Sequence, residues 1–241
     1  MSKYLKIQKK LWANTAFHGT DMIDASGWVN SITKKPFSKA EMDELVENIY
    51  LKLKDRHLSS GESDILEIGC GSGLVLSKLI RFSKTYDATD ISEVILEKCR
   101  AFLAPNLNNL EAEVNFYCLF AHEIDMIPAE NKYDIIIINS VMHRFPDYVY
   151  AIDVLTKSRA LLNDNGVLFC GDIMDADKLE DLQDFLSQED PSLKNKKLFF
   201  KRSFFENIAV EIGFSKCRIS DKIYTIPNEL SLFRYDVMLY A

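Results

Sequence analysis

A glycine-rich turn is the part of this sequence whose residue types and spacing most clearly indicate chemistry. It reads Glu67-Ile-Gly-Cys-Gly-Ser-Gly73 and lies between an apolar β-like run and an apolar helical stretch. Glycines at such a turn let the backbone bend sharply and approach a ligand without a Cβ in the way. The amides of the following helix can then face a polar ligand. The turn therefore predicts a cofactor site, although an ordinary tight turn could use the same residues.

An aspartate at the end of the next predicted strand supports this prediction. Asp90 lies about as far along the chain as the acid that meets a ribose in dinucleotide-binding folds. A carboxylate accepts two hydrogen bonds from a ribose diol. A helix N-cap is the other explanation for Asp90. The glycine spacing argues against a nicotinamide dehydrogenase, because a dinucleotide fingerprint would need its third glycine at position 74, which is Leu74.

The elements that must position these residues follow an alternating pattern. From residue 64 onward, short β-like runs alternate with amphipathic helical stretches, which predicts an α/β fold with a doubly wound, mostly parallel sheet. Residues 135–138 are all isoleucine, as expected for a central strand. The predicted strands are residues 64–68, 85–89, 112–118, 133–139, 166–172, 217–224 and 232–239. The predicted helices are residues 74–83, 93–103, 147–162, 176–187 and 203–212.

Residues 1–60 precede this core, which is predicted to span residues 61–241, and they should form a helical cap. Ser38-Lys-Ala-Glu41 is a capping box that starts a helix running to about residue 56. Such a helix either packs on the sheet edge or forms a lid over the site, and the two roles are compatible. One face of this helix is apolar and carries Met42, Leu45, Val46, Ile49 and Leu53.

Composition and charge exclude several classes of function. The net charge of −7 argues against a nucleic-acid partner that needs a broad basic surface. The short lysine runs at residues 34–35 and 194–197 are expected to be solvated loops. Five scattered cysteines without a C-x-x-C motif, and no signal peptide or membrane span, predict a soluble cytoplasmic protein with reduced thiols. His18 and His57 have no partners at metal-ligand spacing, so no metal is predicted.

The fourth predicted strand runs into a loop that should line the ligand crevice. The segment ends Asn139-Ser-Val-Met-His-Arg-Phe-Pro-Asp147. In an open α/β sheet the crevice lies at the carboxyl ends of the strands, next to the point where the strand order reverses. We therefore expect this loop, which includes His143, to face a ligand.

Together these segments resemble class I S-adenosylmethionine-dependent methyltransferases, whose first motif has the G-x-G-x-G spacing found after Glu67. The similarity to the methyltransferase domains of nonribosomal peptide synthetases spans nearly the whole chain. It includes the region around Trp28, the loop of residues 139–146, and Asn228-Glu-Leu-Ser-Leu-Phe-Arg-Tyr-Asp236. The resemblance implies a seven-stranded sheet with an antiparallel last strand. Because the sequence contains no carrier-protein or adenylation segment, we expect a freestanding version.

The resemblance also implies the cofactor, S-adenosyl-L-methionine, with S-adenosyl-L-homocysteine as product. One position departs from the family, because His122 stands where an aspartate usually contacts the adenine amino group. Either a ring nitrogen of His122 or backbone groups alone would then hold the adenine. The cofactor-binding residues implied are Glu67, Gly69, Cys70, Gly71, Gly73, Asp90, Ile91, Ala121, His122, Asn139 and Ser140.

The acceptor side is less defined, since His143-Arg144 replaces a Gln-Tyr pair of the family. Methyl transfer from a sulfonium depends mainly on positioning, and a base helps only where the acceptor must lose a proton. His143 is the first candidate base because its reference pKa lies near neutrality, and Glu229 could order an amine. A loop-packing histidine and a surface acid are the alternative interpretations. The residues predicted to contact the acceptor are Trp28, Arg144, Asn228 and Tyr235.

The predicted function is methyl transfer to an amine or hydroxyl of a small natural-product or peptide-like acceptor. The acceptor could be free or tethered to a carrier, and the sequence leaves the oligomeric state open. The alternatives are a protein or RNA methyltransferase and a non-catalytic subunit that binds the cofactor for a partner enzyme.

Overall fold

Seven strands form one sheet in the order β3-β2-β1-β4-β5-β7-β6. The computed structural model describes residues 2–31, 33–58, 61–107, 111–128, 132–186 and 197–241. The strands are β1 (Ser63–Ile68), β2 (Ser83–Asp90), β3 (Glu113–Cys118), β4 (Tyr133–Asn139), β5 (Leu162–Met174), β6 (Lys216–Asp221) and β7 (Arg234–Tyr240).

The strand directions confirm the predicted fold class. The pairs β1–β2, β1–β4, β2–β3 and β4–β5 are parallel, whereas β7 runs antiparallel to both β5 and β6. The chain order reverses between β1 and β4, where a crevice opens at the carboxyl ends of an α/β sheet. Because β7 is antiparallel, its first residues lie at the same edge as the last residues of β4 and β5.

Helices surround the sheet, and within the described residues none is both long and apolar enough to cross a membrane. The α-helices are α1 (Lys3–His18), α2 (Met22–Ala25), α3 (Lys39–His57), α4 (Leu74–Leu79), α5 (Glu93–Leu107), α6 (Tyr148–Leu161), α7 (Leu179–Phe185), α8 (Arg202–Ile212) and α9 (Glu229–Phe233). Short 3₁₀ turns occupy Ile80–Phe82, Ala121–Met126, Met142–Arg144 and Ala176–Lys178.

The core consists of two apolar layers, one on each face of the sheet. The isoleucines of β4 are completely buried and alternate between the layers, since successive side chains of a strand point to opposite faces. Ile135 and Ile137 pack in one layer, with α3, α4 and α5. Ile136 and Ile138 pack in the other, with α6 and α8. Burial on both faces explains why β4 is apolar without interruption.

The N-terminal helices lie against the first of these layers. The α3 helix begins at Lys39, because the Glu41 amide donates to Ser38 Oγ (3.3 Å) and the Ser38 amide donates to Glu41 Oε2 (2.9 Å). This helix reaches the sheet through Lys52, whose Nζ lies 2.7 Å from Asp236 Oδ2 on β7. The division into a cap of residues 1–60 and a core of residues 61–241 stays a prediction.

Several predicted elements differ from the structure in their bounds. The strand β6 ends at Asp221 rather than at residue 224, and α4 ends at Leu79, before a 3₁₀ turn and the start of β2 at Ser83. The last strand begins at Arg234 rather than at residue 232, because Asn228 accepts hydrogen bonds from the amides of Leu230 and Ser231 and starts α9. The strand predicted to begin at residue 166 begins at Leu162, as β5. The predicted helix of residues 176–187 begins as a 3₁₀ turn and its α-helical part ends at Phe185; Ser187 lies outside the described residues.

Candidate active site

The glycine-rich turn crosses the carboxyl end of β1 in a conformation that needs glycine. The amides of Gly69 and Cys70 both donate to the Thr89 carbonyl, at 2.8 and 2.9 Å. Gly71 has a φ of +55°, and a Cβ there would lie 2.6 Å from Ser26 Oγ. The backbone is therefore pressed between β2 and the N-terminal segment, and a side chain at residue 71 would displace one of them.

Two buried carboxyl groups lie at this end of the site. Asp90 accepts hydrogen bonds from the amides of Gly71 (3.2 Å) and Ser92 (3.1 Å), and burial raises its pKa to about 6. Burial likewise raises the pKa of Glu67 to about 8, although Tyr86 donates a hydrogen bond to it over 2.7 Å. At pH 7 Asp90 is therefore mostly ionised and Glu67 mostly protonated, so the negative charge of the β1–β2 end lies on Asp90.

The end of β4 is held by two residues with left-handed backbone conformations. Ser140 (φ +57°) and Asp172 (φ +60°) are not glycines, and this conformation costs about 1–2 kcal/mol each. They are bonded to each other, because Ser140 Oγ donates to Asp172 Oδ2. The neighbouring Asn139 Oδ1 is buried and has no hydrogen-bond partner in the described part of the chain. Such strain collects at functional sites, and the unused oxygen can accept a hydrogen bond from a ligand.

The carboxyl ends of β1, β2 and β4 open into one cavity of about 210 Å³. A single water needs only about 10–15 Å³ measured in the same way, so the space can hold part of a small molecule. Asp90 ends β2 and Gly71 follows β1, whereas His143 follows β4 and Glu229 precedes β7, so the strand order places the two pairs toward opposite ends of the cavity. The N-terminal segment supplies the remaining wall, with Leu5, Gln8, Trp12, residues 26–29 and Ser31.

His143 lines the second end of the cavity and is buried near several cations. It is 8% exposed, and its Nδ1 has no partner among the described residues. Burial, and then the charges of Arg234, Arg144 and Lys197, hold its pKa well below the usual 6.5. The imidazole is therefore neutral at pH 7 and has a free ring nitrogen.

Glu229 also lies at this end of the cavity, and the N-terminal segment holds its carboxylate in place. Its carboxylate accepts hydrogen bonds from the Ser31 amide (3.0 Å) and from Ser31 Oγ (2.9 Å), and it lies 3.8 Å from Arg234 Nη2. The residue is 5% exposed, so it is part of the cavity wall and not a surface acid.

Comparison with known proteins agrees with this geometry. Residues 66–168, which include the glycine turn, Asp90 and the end of β4, match a methyltransferase domain family. The chain is 30% identical over 252 residues to a nonribosomal peptide synthetase of Salinispora arenicola, an alignment that covers all of this chain and 3% of that protein. It is 30% identical over 234 residues to the chondramide synthase of Chondromyces crocatus, covering 89% of this chain and 6% of the synthase.

A solved structure shares the architecture. The magnesium protoporphyrin IX methyltransferase of Synechocystis PCC 6803, solved with bound S-adenosylmethionine, superimposes with a TM-score of 0.67 at 14% identity. The alignment covers 100% of this chain and 98% of that one. The chain is a Rossmann-like, S-adenosylmethionine-dependent methyltransferase. It resembles the methyltransferase domains of nonribosomal peptide synthetases, and it spans only a small fraction of those relatives' length.

The residues of this methyltransferase fit its cofactor, S-adenosylmethionine. Gly69 and Gly71 line the cavity without side chains, Asp90 offers a carboxylate, and Asn139 Oδ1 is a buried acceptor without a partner in the described part of the chain. The cofactor carries a ribose diol and an amino group that these acceptors can bind. No group of three or more His, Cys, Asp or Glu residues suited to a metal occurs within the described ranges.

Most residues predicted for the site of this methyltransferase lie together around the cavity. Those that line it are Glu67, Gly69, Cys70, Gly71, Asp90, Ile91, Ala121, Asn139, Ser140, Trp28, His143, Arg144 and Glu229.

Four predicted residues lie outside the cavity wall, each because it has another structural task. Gly73 starts α4 in a left-handed conformation (φ +93°). His122 Nδ1 lies 3.0 Å from the Tyr150 hydroxyl. Asn228 caps α9 and donates to Glu41 Oε1 over 3.0 Å. The completely buried Tyr235 donates to the Phe200 carbonyl over 2.9 Å, within the core layer of α6 and α8.

Among the polar residues that line the cavity, sequence reasoning did not assign Tyr150, Lys197 or Arg234 to the site. One expectation is corrected at Lys197. The lysine run of residues 194–197 was predicted to be a solvated loop, and of this run the structure describes only Lys197. Its Nζ instead faces a buried environment that lowers its pKa to about 8. A lysine beside the apolar run Leu198-Phe-Phe200 was the available signal, because such a run is seldom solvated.

Proposed function

We propose that this methyltransferase transfers a methyl group to an amine or hydroxyl of a small, natural-product or peptide-like acceptor, free or tethered to a carrier. The observation that carries the proposal is the single cavity that joins Asp90 at one end to His143 and Glu229 at the other. The similarity to methyltransferase domains of peptide synthetases supports this class of acceptor.

In this proposal the first end binds the cofactor. Asp90 accepts hydrogen bonds from the ribose hydroxyls, and Asn139 Oδ1 accepts one from the amino group of the methionine portion. Gly69 and Gly71, which line this end of the cavity, let the backbone of the turn face the cofactor without side chains of their own. When bound, the cofactor supplies an electrophilic methyl group on its sulfonium.

The second end orients the acceptor. His143 is neutral and can accept a hydrogen bond through its free ring nitrogen, but three nearby cations oppose its protonation. We therefore assign it to positioning the acceptor's N–H or O–H. Glu229, held by Ser31, accepts a second hydrogen bond or attracts an ammonium. Correct alignment of reacting atoms supplies most of the acceleration in a displacement of this kind.

The N-terminal cap closes the cavity in this proposal. Trp12 and Trp28 form part of its wall, and Tyr4 ties α1 to the acceptor loop by donating to the Arg144 carbonyl over 3.0 Å. Since the acceptor must enter past these residues, we assign residues 1–60 the role of a lid as well as a packed cap.

Two measurements test the proposal. S-adenosylhomocysteine should raise the melting temperature whereas NADH should not, because a ligand that binds the native state stabilises it. Transfer of a labelled methyl group into a panel of amines, hydroxy compounds and carboxylic acids, read by product mass and fragmentation, should then give N- or O-methylated products. No stabilisation by S-adenosylhomocysteine would contradict the function itself, and methylation only of proteins or RNA would contradict the acceptor class.

A further inference from the structure

Three cations line the acceptor end of the cavity, where the ends of β4 and β5 meet the start of β7. Arg144 follows β4, Arg234 begins β7, and Lys197 lies in the segment before α8. That segment is fixed beside the acceptor loop, because the Leu198 amide donates to the His143 carbonyl over 3.0 Å. The three positive charges therefore surround one small volume.

Only one of these cations, Arg234, forms an ion pair with a side chain that the structure describes. Arg234 is ion-paired with Asp172 and lies 3.8 Å from Glu229. Arg144 and Lys197 form no side-chain hydrogen bond or ion pair with any residue that the structure describes. Arg144 instead stacks over the Trp12 ring, with its guanidinium carbon 5.6 Å from the ring centroid. The acceptor end thus has an excess of positive charge.

This excess is costly without a ligand. A cation removed from water is strongly disfavoured unless it is paired and hydrogen-bonded. Arg144 Nε is buried and has no hydrogen-bond partner in the described ranges. Burial, and then the charges of Arg234 and Arg144, lower the pKa of Lys197 to about 8. An anionic group bound between Arg144 and Lys197 would satisfy both.

The cofactor's own end of the cavity lies elsewhere. Asp90 ends β2, and Arg234 begins β7, four strands further along the sheet. Neighbouring strands are about 4.8 Å apart, so these two positions are separated by roughly 19 Å. Arg234 therefore faces the part of the cavity that the proposed function gives to the acceptor. Arg144 and Lys197 lie near it, because their pKa values are lowered by burial and then by charges that include Arg234.

We propose that the acceptor carries a carboxylate, which binds between the Arg144 guanidinium and the Lys197 ammonium while the reacting atom faces His143 and Glu229. This inference rests on the proposed function. A planar carboxylate matches the two parallel N–H groups of a guanidinium. A phosphate would bring a second negative charge close to Glu229, whose carboxylate shares the cavity wall, so a singly charged group fits better.

The test measures binding of matched probes to the protein saturated with S-adenosylhomocysteine. Each carboxylic acid is paired with its primary amide: 3-phenylpropionate with 3-phenylpropionamide, phenylalanine with phenylalaninamide, and N-acetylphenylalanine with its amide. At least one acid should bind roughly tenfold to a hundredfold more tightly than its amide by calorimetry, because a hydrogen bond to a charged group is worth that factor. Arg144→Met and Lys197→Met should remove this preference. Arg218→Met and Lys201→Met, at exposed cations, are the matched controls and should keep it.

Several results would overturn the inference. The inference is wrong if no acid binds more tightly than its amide. It is equally wrong if none of the probes binds. Tighter binding of phenyl phosphate than of any acid would assign the cations to a phosphate. If Arg144→Met and Lys197→Met weaken the binding of S-adenosylhomocysteine, the two cations bind the carboxylate of the cofactor and not that of the acceptor. Failure of the wild type to bind S-adenosylhomocysteine at all would instead contradict the proposed function, and this titration is performed first.

A pH profile distinguishes a bound ammonium from a merely structural lysine. The groups that face Lys197 are Arg144, Arg234, Glu229, Asp172 and His143. Because the pKa of Lys197 is about 8, the acid's affinity should fall severalfold between pH 7.5 and pH 9.5 as the ammonium loses its proton. The Lys197→Met profile should be flat over this interval, and an equal slope in both proteins would contradict the assignment.

Discussion

The two ends of the cavity are built in opposite ways. The end at β1 and β2 is made largely of the glycine-rich backbone turn, and its negative charge lies on Asp90, since the pKa of Glu67, about 8, keeps that carboxyl mostly protonated at pH 7. The end at β4, β5 and β7 is made of long side chains, and Arg144, Lys197 and Arg234 give it positive charge.

This contrast separates two ligands within one continuous space. A sulfonium cofactor is favoured near carboxylates and disfavoured near three cations, and the reverse holds for a carboxylate acceptor. Charge complementarity of this kind discriminates between ligands by repulsion as well as by attraction. The cavity therefore needs no dividing wall to orient the two reactants.

The largest expected effect is at the acidic end. Asp90→Ala should weaken S-adenosylhomocysteine binding by roughly a hundredfold or more, because two charge-assisted hydrogen bonds are lost at about 1.5–3 kcal/mol each. Calorimetry and the melting shift measure the effect, with Glu97→Ala on the exposed face of α5 as control. Wild-type affinity in Asp90→Ala would mean that the cofactor does not occupy this end.

A glycine pair tests whether close approach of the backbone matters there. Gly71 and Gly213 both have positive φ, +55° and +84°, so alanine at either costs about 1–2 kcal/mol of stability. At residue 71 the new Cβ also meets Ser26 Oγ, whereas space is open around residue 213. Gly71→Ala should therefore also lose roughly tenfold or more in cofactor affinity by calorimetry, and Gly213→Ala should not. Equal affinities would show that the turn only shapes the chain.

Much of the backbone-built end could be predicted from the sequence because its determinants are local. The glycines, Glu67 and Asp90 lie within 24 residues of one another, and the strand–turn–helix pattern around them fixes their geometry. The isoleucines of β4 identify a central strand for the same reason. Short α9 was missed because Asn228 and Ser231 cap a five-residue helix that has too few turns for a periodic pattern.

The side-chain end could be predicted only in part because its residues meet through tertiary packing. Ser31, Lys197 and Glu229 come from three distant segments, and nothing in the local sequence links them. His143 was indicated by its near-neutral reference pKa and its loop after β4, and Glu229 by its charge and its place before the last strand. The resemblance to a known family supplied other positions. It indicated Tyr235, whose side chain alternates to the opposite face of β7 and joins the core. The family pattern gives positions along the chain but not which face each one occupies.

Substitutions at the acceptor end should separate turnover from cofactor binding. His143→Gln and Glu229→Gln should each lower kcat about tenfold, the effect of about 1.4 kcal/mol of lost positioning. Affinity for S-adenosylhomocysteine should stay within about twofold of wild type, since these residues lie at the other end. Labelled-methyl transfer and calorimetry measure the two quantities. A variant that turns over normally would exclude that residue from orienting the acceptor.

The smallest expected effect is a pH dependence of the affinity for S-adenosylhomocysteine, which arises from Asp90 at the acidic end. Ribose hydroxyls donate hydrogen bonds to the ionised form of Asp90. Burial raises the pKa of this carboxyl to about 6. Affinity for S-adenosylhomocysteine should therefore fall about fivefold from pH 7 to pH 5, if binding lowers that pKa by about one unit. Calorimetry across this range measures the change, and Asp90→Asn should bind weakly with little slope.

Loss of the folded state would not produce the same slope. The pKa of Asp90 is higher in the folded protein than its usual value of 3.8, so the folded state binds the extra proton and gains stability as the pH falls from about 7 to about 4. Burial raises the pKa of Glu67 to about 8, which acts in the same direction over its own interval. A fall in affinity with an unchanged or higher melting temperature of the free protein would thus assign the titration to Asp90. A fall that accompanies melting would contradict it.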